Sequence, residues 1–272
     1  MVRVKGVDFS TSGAFLKNEF YNLSIYKTSF WFNFVFTFLM MYTVGYVWRA
    51  LYATNPNVSD VPLPQMITYA VLGIALEAVL HPHNGPQIYM MEQVRKGAIE
   101  LDILKPIDFQ FYMFSKTMGV MFVRLVFLVL PSLVIAHFLF SFQIAKIVQM
   151  LLFLISLLLS FCISFLLNFF IGLISMVTMN IKNIYFGYNA LLRFFAGQMI
   201  PLWLYPSGIK YLSDILPFRG IYAIPMSIYV GDVGAFGVIG DLLFQFSWIV
   251  ILLVATRLYM KYVFKRLMIQ GG

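Results

Sequence analysis

The densest run of ionisable side chains is residues 91–106, reading MEQVRKGAIELDILKP. It carries Glu92, Arg95, Lys96, Glu100, Asp102 and Lys105. Glu100 and Asp102 are two apart, a spacing that sends them to separate helix faces, so they make a poor acid–base pair. Val94, Ile99, Ile103 and Leu104 can still form an apolar stripe, and Pro106 stops the helix. Such an element can lie on lipid headgroups or dock into a groove on a soluble partner, and composition leaves both open.

Other reactive side chains are isolated. His81 and His83 are two apart and would point to different sides of a helix, which makes them a poor metal pair; His137 falls near a helix end and reads as interfacial. Cys162, the one cysteine, sits in an apolar run and reads as a small packing residue, with no CxxC pair for a metal. Ion-coupled transport would need acids deep in a membrane, and Glu77 is the best candidate, although pairing with a nearby base at the interface is the favoured reading. Arg124 and Arg193 fall inside apolar runs and are expected to snorkel or pair. The chain contains no G-x-x-x-x-G-K-[ST] phosphate loop, no H-E-x-x-H and no G-x-S-x-G, so neither ATP binding of the P-loop kind nor an enzyme is expected.

The elements that position these residues follow from composition. With 61% apolar and 11% charged residues, the chain has too little polar surface to face water on all sides, and a bilayer must solvate much of it. The net charge of +8 therefore reads as cations gathered at one membrane face, not as nucleic-acid binding. An all-α polytopic fold is expected, with six transmembrane helices near 30–53, 64–81, 111–140, 147–181, 184–204 and 234–262. The fourth carries no charge and exceeds one straight crossing, so it tilts or projects. Residues 206–231 are apolar but broken by Pro206, Pro217 and Pro225, and read as short re-entrant helices. Residues 1–29 read as a cytoplasmic amphipathic segment with helical spacing over 13–26, not a cleavable signal, and 30–266 as a single membrane domain before the tail 267–272. With the N-terminus inside, twelve Lys and Arg fall on the inner side and four on the outer, which predicts both termini in the cytoplasm.

Several motifs resemble one family in the right order. Arg95-Lys96-Gly97-Ala98-Ile99 followed by Ile103-Leu104-Lys105-Pro106 resembles the "I-R-x-G-x-L…L-L-R-P" signature of the ABC-type-two exporter permeases. Gly197-Gln198-Met199-Ile200-Pro201-Leu202, then Pro206, resembles that family's "S-G-x-x-I-P-L…P" at the outer end of the fifth helix, with Ala196 in place of the usual Ser. Leu216-Pro217-Phe218, Tyr222 and Pro225 resemble its "L-P-F…Y…P" segment, the tail Gln270-Gly271-Gly272 its "Q-G-G", and Val47-Trp48-Arg49-Ala50-Leu51-Tyr52 its first-helix exit.

The resemblance implies a non-catalytic permease subunit in the cell membrane that pairs as a homo- or heterodimer. A separate ABC ATP-binding subunit would dock beneath it and hold ATP and magnesium, leaving this chain no cofactor of its own. It implies that 91–106 is a coupling helix, with Glu92, Arg95, Lys96, Gly97, Ile99, Glu100, Ile103, Leu104, Lys105 and Pro106 facing that partner. It implies that Gly197, Ile200, Pro201, Pro206, Leu216, Pro217, Phe218, Tyr222 and Pro225 build a re-entrant outer gate. Export of a drug, lipid or peptide would follow, and 29 Phe and 16 Met suit an adaptable apolar path. Two other functions stay open at this level: an ion-coupled secondary transporter or channel, and a membrane anchor or sensor for an ATPase.

Overall fold

The structure, a computed structural model, describes residues 27–55, 61–80, 85–140, 142–178, 182–231 and 235–270. The expected amphipathic helix of 13–26 and the pair His81 and His83 lie outside these residues. The described residues are helical, with no strand among them.

Five helices are long and apolar enough to cross a membrane. They are α1 (Lys27–Thr54), α2 (Leu63–Leu80), α5 (Phe109–Phe140), α6 (Ile147–Thr178) and α10 (Ala235–Gln270). Between α2 and α5 lie two short helices, α3 (Pro86–Arg95) and α4 (Ile99–Ile103). Between α6 and α10 lie α7 (Lys182–Phe195), α8 (Ser207–Ile215) and α9 (Ala223–Val230). The end of the bundle that carries α3 and α4 is termed the foot, and the opposite end the rim.

The helix α5 runs through Pro131 because it widens first. Proline lacks an N–H and its ring crowds the carbonyl four residues back. Residues Leu125–Val129 adopt a π-helix, and Leu130 N–H bonds to Leu125 O, five residues back instead of four. The sequence offers no charge or period that announces this.

At the centre is α6, whose buried face carries Ser156, Ser160, Ser164, Asn168 and Gly172 at every fourth position. Each meets a different neighbour. Ser156 Oγ donates to Gln245 Oε1 on α10 at 3.0 Å. Ser160 Oγ donates to Gly220 O at 2.9 Å, and Gln245 Nε2 reaches the same carbonyl at 2.8 Å. Ser164 Oγ donates to Leu80 O, the end of α2, at 2.5 Å. Gly172 admits α3, since a Cβ there would stand 2.7 Å from Met90 Sδ. Small and hydroxyl-bearing residues allow close approach of backbones where no water is present to satisfy them.

Helix α2 serves as a ruler. Its 18 residues span about 27 Å, close to one hydrocarbon core. Ser164 marks where α2 ends, so the fourteen residues 165–178 of α6 extend about 21 Å further toward the foot. Of the two readings of the long fourth segment, projection is the one observed.

The helices α6 and α10 run the same way. Ser156 meets Gln245 nearer the rim, and Met176 and Met260 share one apolar cluster at the foot. The chain between them must therefore travel from foot to rim, and it does so in pieces. The span expected at 184–204 is a correction: the helix stops at Phe195, and its 14 residues reach only about 21 Å. An irregular turn follows, then a 3-10 turn Leu202–Leu204, α8, a 3-10 turn Pro217–Gly220 and α9. Ala223 N–H donates to Ala196 O at 3.1 Å, so α9 begins where α7 ends.

Candidate functional site: the foot element and the broken crossing

The element expected as one helix over 91–106 is two helices meeting at a turn. It starts earlier, at Pro86, whose fixed φ suits a first helical position. It breaks at Gly97, which has φ +65°. Ala98 N–H bonds to Gln93 O and Gly97 N–H to Val94 O, the double closure that ends a helix on a left-handed glycine. Helix α4 then turns back and stops before Pro106.

Asp102 fixes this turn. Its carboxylate is 7% exposed and accepts Tyr89 Oη from α3 at 2.7 Å and Lys105 Nζ at 2.6 Å. Lys105 also donates to Tyr112 Oη on α5 at 3.2 Å, and Lys116 Nζ stands 3.5 Å over the Tyr89 ring. Burial and the bond to Asp102 push the Tyr89 hydroxyl well above the usual tyrosine range, so it stays a donor. Burial opposes the charge on Lys105, but its bonds to Asp102 and Tyr112 outweigh burial and raise its pKa. One residue beyond the loop, Asp108 caps α5 by accepting Phe111 N–H at 2.9 Å, and its other oxygen pairs with Arg257 on α10.

The residues expected to face a partner divide in two. Glu92, Arg95, Lys96, Gly97, Glu100, Leu104 and Pro106 are exposed. Ile99 is buried and Ile103 half-buried, both packed into the chain's own foot cluster, so they face inward. Lys105 is exposed in part, yet its ammonium is engaged within the chain. Sequence reading missed Leu101, which is 69% exposed beside Leu104 at 78%. It also missed Asp102 and Tyr89 as the brace. The periodicity could have placed Leu101 and Leu104 together, since they are three apart on one helix face.

The broken crossing gathers the second set. Gly197, at φ +66°, presents its carbonyl to Tyr69 Oη at 2.7 Å. The next carbonyl, Gln198 O, lies against Gly73, where a side chain would collide with it. Gln198 Nε2 donates to Glu77 at 2.6 Å, and Arg193 Nη2 reaches the same carboxylate at 3.3 Å. Glu77 thus pairs with a base, as favoured, and Arg193 with an acid, while Arg124 donates to Ala78 O at 3.2 Å. The 197–202 turn is seated along the middle of α2, not at the rim, because α7 stops short. Pro201 and Pro217 are buried and open 3-10 turns, Pro206 precedes α8, and Leu216 is extended before Pro217. Phe218, Tyr222 and Pro225 are buried, with Phe218 stacked on Phe195, whereas Ile200 is 48% exposed.

Neither cluster assembles a nucleophile with a base. What the arrangement offers is mechanical: a braced, exposed tip at the foot, and a broken crossing tied to α2 and α6. A family model described as ABC-2 family transporter protein matches residues 38–271. No curated protein matches the chain.

Proposed function

The chain belongs to the ABC-2 transporter family, and from that premise we propose that it is the membrane-spanning permease subunit of an ATP-driven exporter. Its cargo would be a hydrophobic or amphipathic compound, and a separate ATP-binding subunit would supply the hydrolysis, with ATP and magnesium held there. The observation that carries this reading is the foot tip. Leu101 and Leu104 stand exposed among Arg95, Lys96 and Glu100, an apolar centre with a charged rim. That is the composition of a docking anchor. Residues 86–106 then act as the coupling element, in two helices.

A push on the tip has a rigid route inward. Asp102 ties α4 to Tyr89 on α3 and, through Lys105, to Tyr112 on α5. Helix α3 bears on α6 at Gly172, and α6 holds the 217–220 turn through Ser160. Coupling needs such an element with two arrangements that both ends bias.

Five continuous helices plus the broken crossing make six passages, an even number, so both termini lie on the foot side. The cation excess on that side puts it in the cytoplasm of a cell-membrane protein. A second permease, identical or different, completes the path, with 197–225 as its gate.

The test is co-purification of an ATP-binding subunit, followed by flux in sealed vesicles with and without ATP. Flux that requires ATP and the partner supports the proposal. Flux driven by an ion gradient through the chain alone would replace it with a secondary transporter.

A further inference from the structure

A cleft of about 170 Å³ opens between α5, α6 and α10. Its walls are carbon from Phe114, Cys162, Phe165 and Leu253, with Gln110 and Arg257 as its polar members. Gln110 is 3% exposed, and its Oε1 has no hydrogen-bond partner among the described residues. Rotating the amide would not satisfy it. Gln110 Nε2 donates to Thr256 Oγ1 at 3.0 Å, and the Thr256 hydroxyl proton is already committed to Leu252 O at 2.8 Å. The buried acceptor therefore stays an acceptor without a donor, an arrangement that proteins avoid.

A water molecule alone is a poor occupant, because a buried water needs two to four polar partners and the cleft offers one orphan. Volume points elsewhere: a cavity of about 150 Å³ takes a benzene-sized apolar body. Depth points the same way. Phe165 follows Ser164, the residue that marks the end of α2, so the cleft sits where hydrocarbon gives way to headgroups on the foot side. The Arg257–Asp108 pair lies beside it, where a polar head would emerge.

We propose that this cleft is a binding site for an amphiphile: a hydrocarbon chain lies against Phe114, Phe165 and Leu253, and a hydroxyl next to that chain donates to Gln110 Oε1. The site is separate from the foot tip and the broken crossing, and it stands whether or not the chain couples to an ATPase. A bilayer lipid with a hydroxylated head and a freely diffusing alcohol present the same chemistry.

Cys162 lines the cleft and is the chain's one cysteine, so it reports occupancy directly. The experiment follows its alkylation by N-ethylmaleimide in phosphatidylcholine nanodiscs, whose lipid carries no hydroxyl. 1-Decanol is expected to slow the reaction, and decyl methyl ether, of like chain but without a donor, to need about tenfold more for the same protection. Gln110→Leu is expected to erase the difference between the two while both still protect. Slower labelling in phosphatidylglycerol nanodiscs, with nothing added, identifies a bilayer lipid as the occupant; equal labelling in both lipids, with decanol protective, identifies a diffusible amphiphile. In parallel, decanol should raise the Tm of the wild type and not of the cleft-filling variant Cys162→Phe. No protection and no Tm shift by decanol, or equal protection by alcohol and ether in the wild type, would overturn the site.

Discussion

Tyr89 on α3 donates its hydroxyl to the buried carboxylate of Asp102 on α4 at 2.7 Å, across the turn that Gly97 makes. This bond makes one body of two short helices. Tyr89→Phe deletes the donor and leaves the ring, so packing is kept. A hydrogen bond to a charged acceptor is worth about 1.5–3 kcal/mol. Thermal unfolding in detergent should fall by an amount in that range, and coupling between ATP hydrolysis and flux should fall further, because the brace slackens while the tip remains.

The same cluster sets an alkaline limit. Lys105 is held above the ordinary lysine value of 10.5. A raised value in the folded chain means its stabilisation is whole below the unfolded value and fades as pH climbs through the folded one. Stability of the foot should be insensitive to Lys105 through the neutral range and drop above 10.5. Tyr89, pushed higher still, stays protonated there. Unfolding followed against pH should show the alkaline step in the wild type and lose it in Lys105→Gln.

Gly97 is a test of backbone alone. A Cβ there meets nothing within 4 Å, but φ is +65°. Gly97→Ala should therefore cost about 1–2 kcal/mol from the left-handed conformation and nothing from crowding. Gly97→Asn should cost less, since Asn tolerates that region. Equal loss in the two variants, read by thermal unfolding, would mean a different turn.

Gly73 is the opposite case. Its φ is ordinary, but a Cβ would strike the backbone oxygen of Gln198, which cannot swing aside as a side chain can. Gly73→Ala should unseat the 197–202 turn at about 1–3 kcal/mol. Faster hydrogen exchange confined to that turn and α9 is the expected signature. Gly208→Ala and Gly240→Ala, where nothing lies within 4 Å, serve as controls and should not show it.

What the sequence made legible follows from the physics each feature uses. Long uncharged runs located the five continuous helices to within a few residues at most boundaries, because lipid leaves the backbone no other choice. The break at Gly97 was also readable, since a basic residue and then glycine after an apolar stripe is a helix ending. Reading 91–106 as one helix passed over it. The Ser156-Ser160-Ser164-Asn168-Gly172 ladder was in plain view at a spacing of four, but attention to charge passed over hydroxyls. Three features were beyond one-dimensional reading. The π-turn before Pro131 depends on how the ring is accommodated in three dimensions. The stop of α7 at Phe195 depends on α2 receiving the following turn at Gly73. The inward aim of Ile99 and Lys105 depends on which face of α4 finds Asp102 and the foot cluster.

The account turns on the foot tip as the place where an ATP-binding subunit acts. Leu101 and Leu104 are 69% and 78% exposed, so replacing both by Glu should leave the Tm of the isolated chain within about 0.5 kcal/mol of wild type. The measurement is ATP-driven uptake of a hydrophobic dye into inside-out vesicles that contain this double variant and the ATP-binding subunit at wild-type levels. The account expects uptake to fall to background while the variant stays folded and inserted. Uptake at the wild-type rate would contradict it.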